Sequence, residues 1–169
     1  MLETGRLRLR RLRPSDEPAL VALDSDAEVM RYIGSRGGTP EQIVARAREK
    51  IGSDHGAVGW WMVETKDDGA FRGIAGLLPM SEGRDIELAY RFTRATWGRG
   101  IATEAAVALT DYAFMGAGLA RLVAVTFPEN TPSQRVLEKV GFAYDGMTDY
   151  KEFRVAHFAV TAEMWRARR

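Results

Sequence analysis

Two short stretches of this chain carry residue types that chemistry would need. The first runs Ile86-Glu87-Leu88-Ala89-Tyr90-Arg91-Phe92, then Trp97-Gly98-Arg99-Gly100-Ile101-Ala102-Thr103. It reads as strand, Gly-x-Gly turn, helix. A helix N-terminus has unpaired N–H groups and a partial positive charge, and glycines let an anion approach the backbone closely. Such a turn can hold a pyrophosphate without any metal. The same pattern also makes ordinary tight corners. The second stretch lies about thirty residues on, at Asn130-Thr131-Pro132-Ser133. An Asn and a Ser three apart, ahead of a short helix, read on their own as turn and cap residues.

Competing nucleotide motifs fit poorly. No Lys-Ser or Lys-Thr follows the glycines, so this is not a P-loop. The third glycine of the dinucleotide fingerprint is missing, and an antiparallel meander precedes the turn. The 24 basic and 23 acidic side chains leave a formal charge of +1. A nucleic-acid binder would show a clearer basic excess, so no nucleic-acid partner is expected. Cysteine is absent, which excludes disulfides, thiolate metal sites and a cysteine nucleophile. The two histidines, His55 and His157, are not at ligand spacing, so no metal is expected. No apolar run has signal-peptide or membrane-spanning length, and a cytoplasmic location is expected. At 169 residues and 46% hydrophobic, the chain reads as a single domain over 1–169.

The elements that must position these stretches can be read in order. Residues 6 to 13 alternate Arg and Leu through Leu9, a half-buried strand whose arginines read either as phosphate-binding or as the solvated face of an outer strand. Ser15 is expected to cap a helix with Asp16 and Glu17 in its first turn, broken by Asp24-Ser25-Asp26. Thr39, Pro40 and Gln42 read as N-cap, first helical residue and reciprocal cap of the next helix, with Ile43, Ala47 and Ile51 on one face. Strands at Trp60 to Glu64, Phe71 to Leu78 and Ile86 to Phe92 form a meander, joined by turns at 66–69 and 81–84. Trp60 and Trp61 face opposite ways, one into the core and one available to an acceptor site. The helix from Ala102 to Met115 is apolar almost all round and should be buried. Leu122 to Thr126 then lies parallel to the previous strand. Ser133 to Val140 is a helix closed by Gly141, and strands at 142–147 and 153–160 and a helix at 161–168 complete an α+β fold.

Together these stretches resemble the GNAT superfamily (GCN5-related N-acetyltransferases). The segment 97–105 looks like its acetyl-CoA pyrophosphate loop, and Asn130 to Phe142 like its second signature. The opening, Thr4-Gly5-Arg6-Leu7-Arg8-Leu9-Arg10 with Pro14-Ser15-Asp16, is similar to the RimJ/RimL-like branch, as is the closing Thr161 to Trp165. The resemblance covers nearly the whole chain. It implies a mixed, mostly antiparallel central sheet with splayed central strands and helices on both faces. It implies acetyl-CoA as acyl donor, with backbone near Phe92 and Thr93 on pantetheine, Gly98, Arg99, Gly100, Ile101, Ala102 and Thr103 on pyrophosphate, and Asn130 near the sulfur. Relatives are often dimers, so a homodimer is open to this chain.

The implied reaction moves an acetyl group to a primary amine, either a protein N-terminus or a small molecule. A neutral amine must attack the thioester, and strand N–H groups near Leu88 to Tyr90 would face the oxyanion. An α-amine with a pKa near ~7.8 is partly neutral already, whereas a lysine near ~10.4 needs roughly 4–5 kcal/mol for deprotonation. Glu87 is the candidate base, provided burial raises its pKa. Many members carry a tyrosine in the helix before the Gly-Phe pair. Here that position is Leu137, and Ser133 is the candidate to stabilise the thiolate. The alternative for the whole chain is an acyl-CoA-binding module without turnover.

Overall fold

Leu7 and Leu9 are fully buried on one face of their strand, and this alternation starts the sheet. The computed structural model describes residues 1–34, 38–53, 56–80 and 85–168. The expected turn at 81–84 and His55 lie outside them. Among the described residues, eight strands form one sheet: β1 (Leu2–Glu3), β2 (Leu7–Arg11), β3 (Gly59–Thr65), β4 (Phe71–Pro79), β5 (Ile86–Phe92), β6 (Arg121–Thr126), β7 (Ala143–Tyr150) and β8 (Phe153–Thr161). Their order is β1-β2-β3-β4-β5-β6-β8-β7. All neighbours are antiparallel except β5 and β6, which are parallel and touch at one register point, Glu87 opposite Val123. The sheet is therefore mixed, mostly antiparallel and splayed at its centre, as the sequence led us to expect.

Helices cover both faces. On one side α4 (Ile101–Asp111), α5 (Thr131–Val140) and α6 (Ala162–Ala167) pack over Leu7, Leu9, Leu88, Phe92, Leu122 and Phe158. On the other, α1 (Glu17–Ser25) and α3 (Pro40–Gly52) set Leu20, Leu23 and Ala47 against Trp60 and Ile74. The short α2 (Ala27–Met30) follows α1, and Asp26 caps it by accepting from Glu28 N and Val29 N. Thr39 and Gln42 form the expected capping box at α3. α4 continues past Asp111 into a wider π turn over Tyr112–Gly116 that still buries Ala113 and Phe114.

Two expectations change. Ser15 makes no cap. Pro14–Asp16 is a 3-10 turn, and the Asp16 carboxylate instead accepts from Arg13 N at 2.8 Å. Asp16 is a longer acceptor than Ser15 and is drawn inward by Arg10, at 2.8 Å. The first arginine strand is also not outermost, because β1 pairs outside it. Its arginines are held rather than merely solvated. Arg10 bridges Asp16 and Glu64, and the Arg11 guanidinium lies 3.6 Å over the Trp61 ring.

β3 and β4 pair through a bulge. Val63 pairs with Gly73, but Glu64 pairs with Phe71, so Arg72 is an extra residue on β4. Gly73 adopts φ 154°, and a Cβ there would lie 2.2 Å from the Arg91 carbonyl oxygen. Only glycine allows β4 and β5 to approach this closely.

Candidate active site

Beyond Glu87, β5 has no partner strand on its β6 side, so alternate N–H and C=O groups face open space. A cleft of about 250 Å³ occupies that space. It reaches through the sheet. On the α5 side it is lined by Tyr90, Asn130, Ser133 and Leu137, and on the other by Tyr32, Trp60, Glu87 and Arg91. The tip of the β7–β8 hairpin, Tyr150 and Lys151, closes one end.

Glu87 sits where the two strands part. Burial pushes its carboxyl up to about 7, against the opposing pull of Lys151, Arg91 and a hydrogen bond with Tyr150. A carboxyl with this pKa is half ionised near neutrality, which suits exchange of a proton with an amine.

Ser133 lies opposite, at the third position of α5. Its N–H is taken by the Asn130 side chain at 3.3 Å, so Asn130 caps the helix and the Ser133 hydroxyl is left for other work. That hydroxyl lies 2.9 Å from the Tyr90 hydroxyl, which also reaches the Ser133 carbonyl at 3.2 Å. Burial raises the Tyr90 phenol to about 12, with the Ser133 hydrogen bond pulling the other way, so it stays protonated and able to donate. Leu137 is buried one turn further along α5 and offers no polar atom.

The glycine turn lies at the C-terminal end of β5, past the lining of the cleft. Gly98 and Gly100 have φ 73° and 75°, the left-handed conformation that favours glycine. Gly100 is the N-cap of α4, so the first N–H groups of that helix point out of the turn. Nothing lies within 4 Å of a Cβ built on Gly98, and only the Arg6 side chain, at 3.5 Å, meets one on Gly100. Arg6 donates to the Arg99 carbonyl at 3.0 Å and pairs with Glu104, which brings a cation to the turn and neutralises the carboxylate in its first helical turn. Thr93 N already donates to Arg72 O at 2.9 Å, and the Phe92 carbonyl accepts from the Trp97 indole at 2.9 Å. The Thr93 carbonyl accepts from Thr96 N at 3.0 Å and from Thr96 Oγ1 at 2.6 Å, which leaves the second lone pair of Phe92 O.

Of the two tryptophans, Trp61 packs into the main core against Tyr112, and Trp60 lines the cleft. His157 lies on β8 outside the cleft, 3.4 Å from Asp145. Sequence reasoning missed Tyr90, although period-two alternation put it on the face of Leu88 and Phe92. It also missed the buried group of Asp24, Lys50 and Arg91, each cation 2.7 Å from the one carboxylate. Among the described residues no cluster of three potential metal ligands exists.

Comparison with known proteins agrees with this geometry. The N-acetyltransferase p20 of Bacillus licheniformis is 33% identical over 159 residues, 89% of this chain and 87% of p20. The crystal structure of a GNAT-family acetyltransferase from Bacillus anthracis matches with a TM-score of 0.83 and 26% identity, covering 96% of this chain and 98% of that one. The spermidine N-acetyltransferase of Vibrio cholerae, solved with CoA and spermine, shares the fold at 18% identity, a TM-score of 0.79, and coverage of 96% and 99%. The acetyltransferase (GNAT) domain model matches residues 6–143, and the chain belongs to that family as an N-acetyltransferase.

Proposed function

We propose that residues 1–169, acting as one domain, transfer an acetyl group from acetyl-CoA to a primary amine by direct attack. The observation that carries the reading is the cleft itself, which sets a half-buried Glu87 on one side of the parted strands and the Ser133–Tyr90 pair on the other. The arginine-rich opening and the segment Thr161 to Trp165 favour the RimJ/RimL-like branch.

The residues suit the donor. Two left-handed glycines and the start of α4 make an open cradle for a pyrophosphate at Gly98 to Thr103, with Arg6 alongside. The unpaired edge of β5 would receive the pantetheine arm, from Phe92 and Thr93 towards Asn130. Acetyl-CoA supplies an activated carbonyl and a thiolate leaving group. The protein's part is placement and proton handling. Glu87 accepts a proton from the incoming ammonium. Backbone N–H groups near Leu88 to Tyr90 face the carbonyl oxygen as it gains charge. When Tyr90 donates to Ser133 Oγ, the Ser133 proton is free to hydrogen-bond the departing thiolate. The pair fills the place that Leu137 leaves empty of polar atoms.

Calorimetric titration with acetyl-CoA, with dephospho-CoA and ATP as controls, tests the first commitment. Tight binding of acetyl-CoA, followed by turnover with an amine panel from pH 6 to 9, is expected. No binding at millimolar acetyl-CoA would reduce the Gly98 to Thr103 turn to a structural corner and end the reading. Binding without turnover of any amine would leave an acyl-CoA-holding module.

A further inference from the structure

The acceptor side of the cleft has an unusual balance of charge. Asp24 is buried and, among the described residues, is the only carboxylate in contact with both Lys50 and Arg91, which are themselves nearly buried. Two cations thus share one anion, and a buried positive charge without a full partner is costly. Lys50 gives no exit for that charge, because it points at Asp24 and the Arg46 carbonyl. Arg91 does. It lines the cleft, and only its Nη1 is used, on Asp24 and on the Met30 sulfur. Among the described residues its Nε and Nη2 have no hydrogen-bond partner.

A second cation stands at the far end. Lys151 sits at the turn of the β7–β8 hairpin in a left-handed conformation, φ 54°, with its ammonium 5.3 Å from the Tyr150 ring. No described carboxylate makes a close ion pair with it, and its charge acts on Glu87 across the cleft. The charged side chains that line the cleft among the described residues are therefore Glu87, Arg91 and Lys151. The remaining walls of the acceptor side are largely aromatic: Tyr32, Trp60, Tyr150 and Phe153.

We infer that the acceptor is an amine that also carries a carboxylate, an amino-acid-like zwitterion with an apolar body, whose anionic end is held by Arg91 and Lys151 while Glu87 faces its nitrogen. The inference rests on the acetyl-transfer reading above. A ligand carboxylate completes the positive group that Asp24 leaves in excess, and it would accept from the spare guanidinium donors. The aromatic walls take up the apolar body. A polyamine brings further cations to a cleft that, among the described residues, holds one carboxylate and two cations, and is disfavoured.

The test is thiol release from acetyl-CoA with matched acceptors: phenylalanine, phenylalaninamide, phenethylamine and spermidine. The chain has no cysteine, so a thiol reagent sees only released CoA. In parallel, N-acetylphenylalanine and its amide are titrated against the protein saturated with CoA. The expected result is a kcat/KM at least tenfold higher for phenylalanine than for the amide, the amine or spermidine, and a fivefold or greater narrowing of the acid-over-amide ratio in Lys151→Gln, a substitution on an exposed turn. Equal or better turnover of the amide or spermidine overturns the inference and leaves acetyl transfer standing. If acetyl-CoA binds and no amine is turned over, the transfer reading fails instead, and the acetylated pair decides. Tenfold tighter binding of the acid upholds anion selection, and equal or absent binding of the two overturns it.

Discussion

Replacing Glu87 with glutamine should make this protein more stable and less active. The direction follows from the raised pKa. In the unfolded chain a glutamate titrates near its ordinary 4.5, and in the fold burial moves this one to about 7. Between those two pH values the folded state holds more protons than the unfolded state, so stability falls as pH rises through that window. The interval, at about 1.4 kcal/mol per pH unit, amounts to about 3 kcal/mol of destabilisation that is complete above pH 7 and absent below 4.5. The Glu87→Gln side chain keeps the shape and removes the charge, so it should recover most of that amount at high pH only. The assay is urea unfolding of both proteins at pH 5 and pH 8.5. The variant should gain about 2–3 kcal/mol over the parent at pH 8.5 and under 1 kcal/mol at pH 5. Turnover with an amine should fall at least tenfold, and the limb of the pH profile near 7 should disappear. Equal stability differences at the two pH values would refute the argument, because Glu87 would then carry no cost of burial.

Asp24→Asn leaves Lys50 and Arg91 facing each other without their anion, and should cost about 3–5 kcal/mol in chemical denaturation. Gly73→Ala places a methyl against backbone atoms of Arg91 and Phe92 that cannot step aside, and should cost about 3 kcal/mol or more, read as a lowered urea midpoint. Tyr90→Phe removes one hydroxyl from the Ser133 pair. It should cost about 1 kcal/mol of stability and lower kcat about tenfold with the KM for acetyl-CoA unchanged. A kcat within twofold of the parent would remove the pair from thiolate stabilisation.

Much of the fold was legible because local rules and tertiary packing agree. The Thr39–Gln42 capping box, the Asp26 break and the left-handed Gly141 behind α5 are all signalled by residue type at fixed offsets. The crossing from Phe92 through a buried helix to Leu122 forced a parallel neighbour. Ser15 misled because three acceptors stand in a row, and the one chosen depends on Arg10, which approaches from another strand. Within the site, Glu87 and Ser133 came from motif position, but their partners did not. Tyr150 reaches Glu87 from a hairpin more than sixty residues away, and Asp24 meets Arg91 across 67 positions. Contacts of that separation leave no spacing pattern in one sequence. Tyr90 was readable in principle, since it shares a face with Leu88 and Phe92.

The single bridge between Glu87 and Val123 makes the sheet a joint between two continuous pieces of chain. Strands β1 to β5 come from residues 2–92, and β6 to β8 from residues 121–161. What holds the pieces together is the shared core under α4 and α5, where Leu88, Leu122, Leu137 and Phe158 meet. Side-chain packing of this kind lacks the directionality of a hydrogen-bond ladder, so it tolerates a small change in separation that a paired sheet would resist. The chain crosses between the pieces at 117–120, outside both sheet segments. Fragments cut there would each keep an unbroken set of strands, and an apolar interface to find each other again.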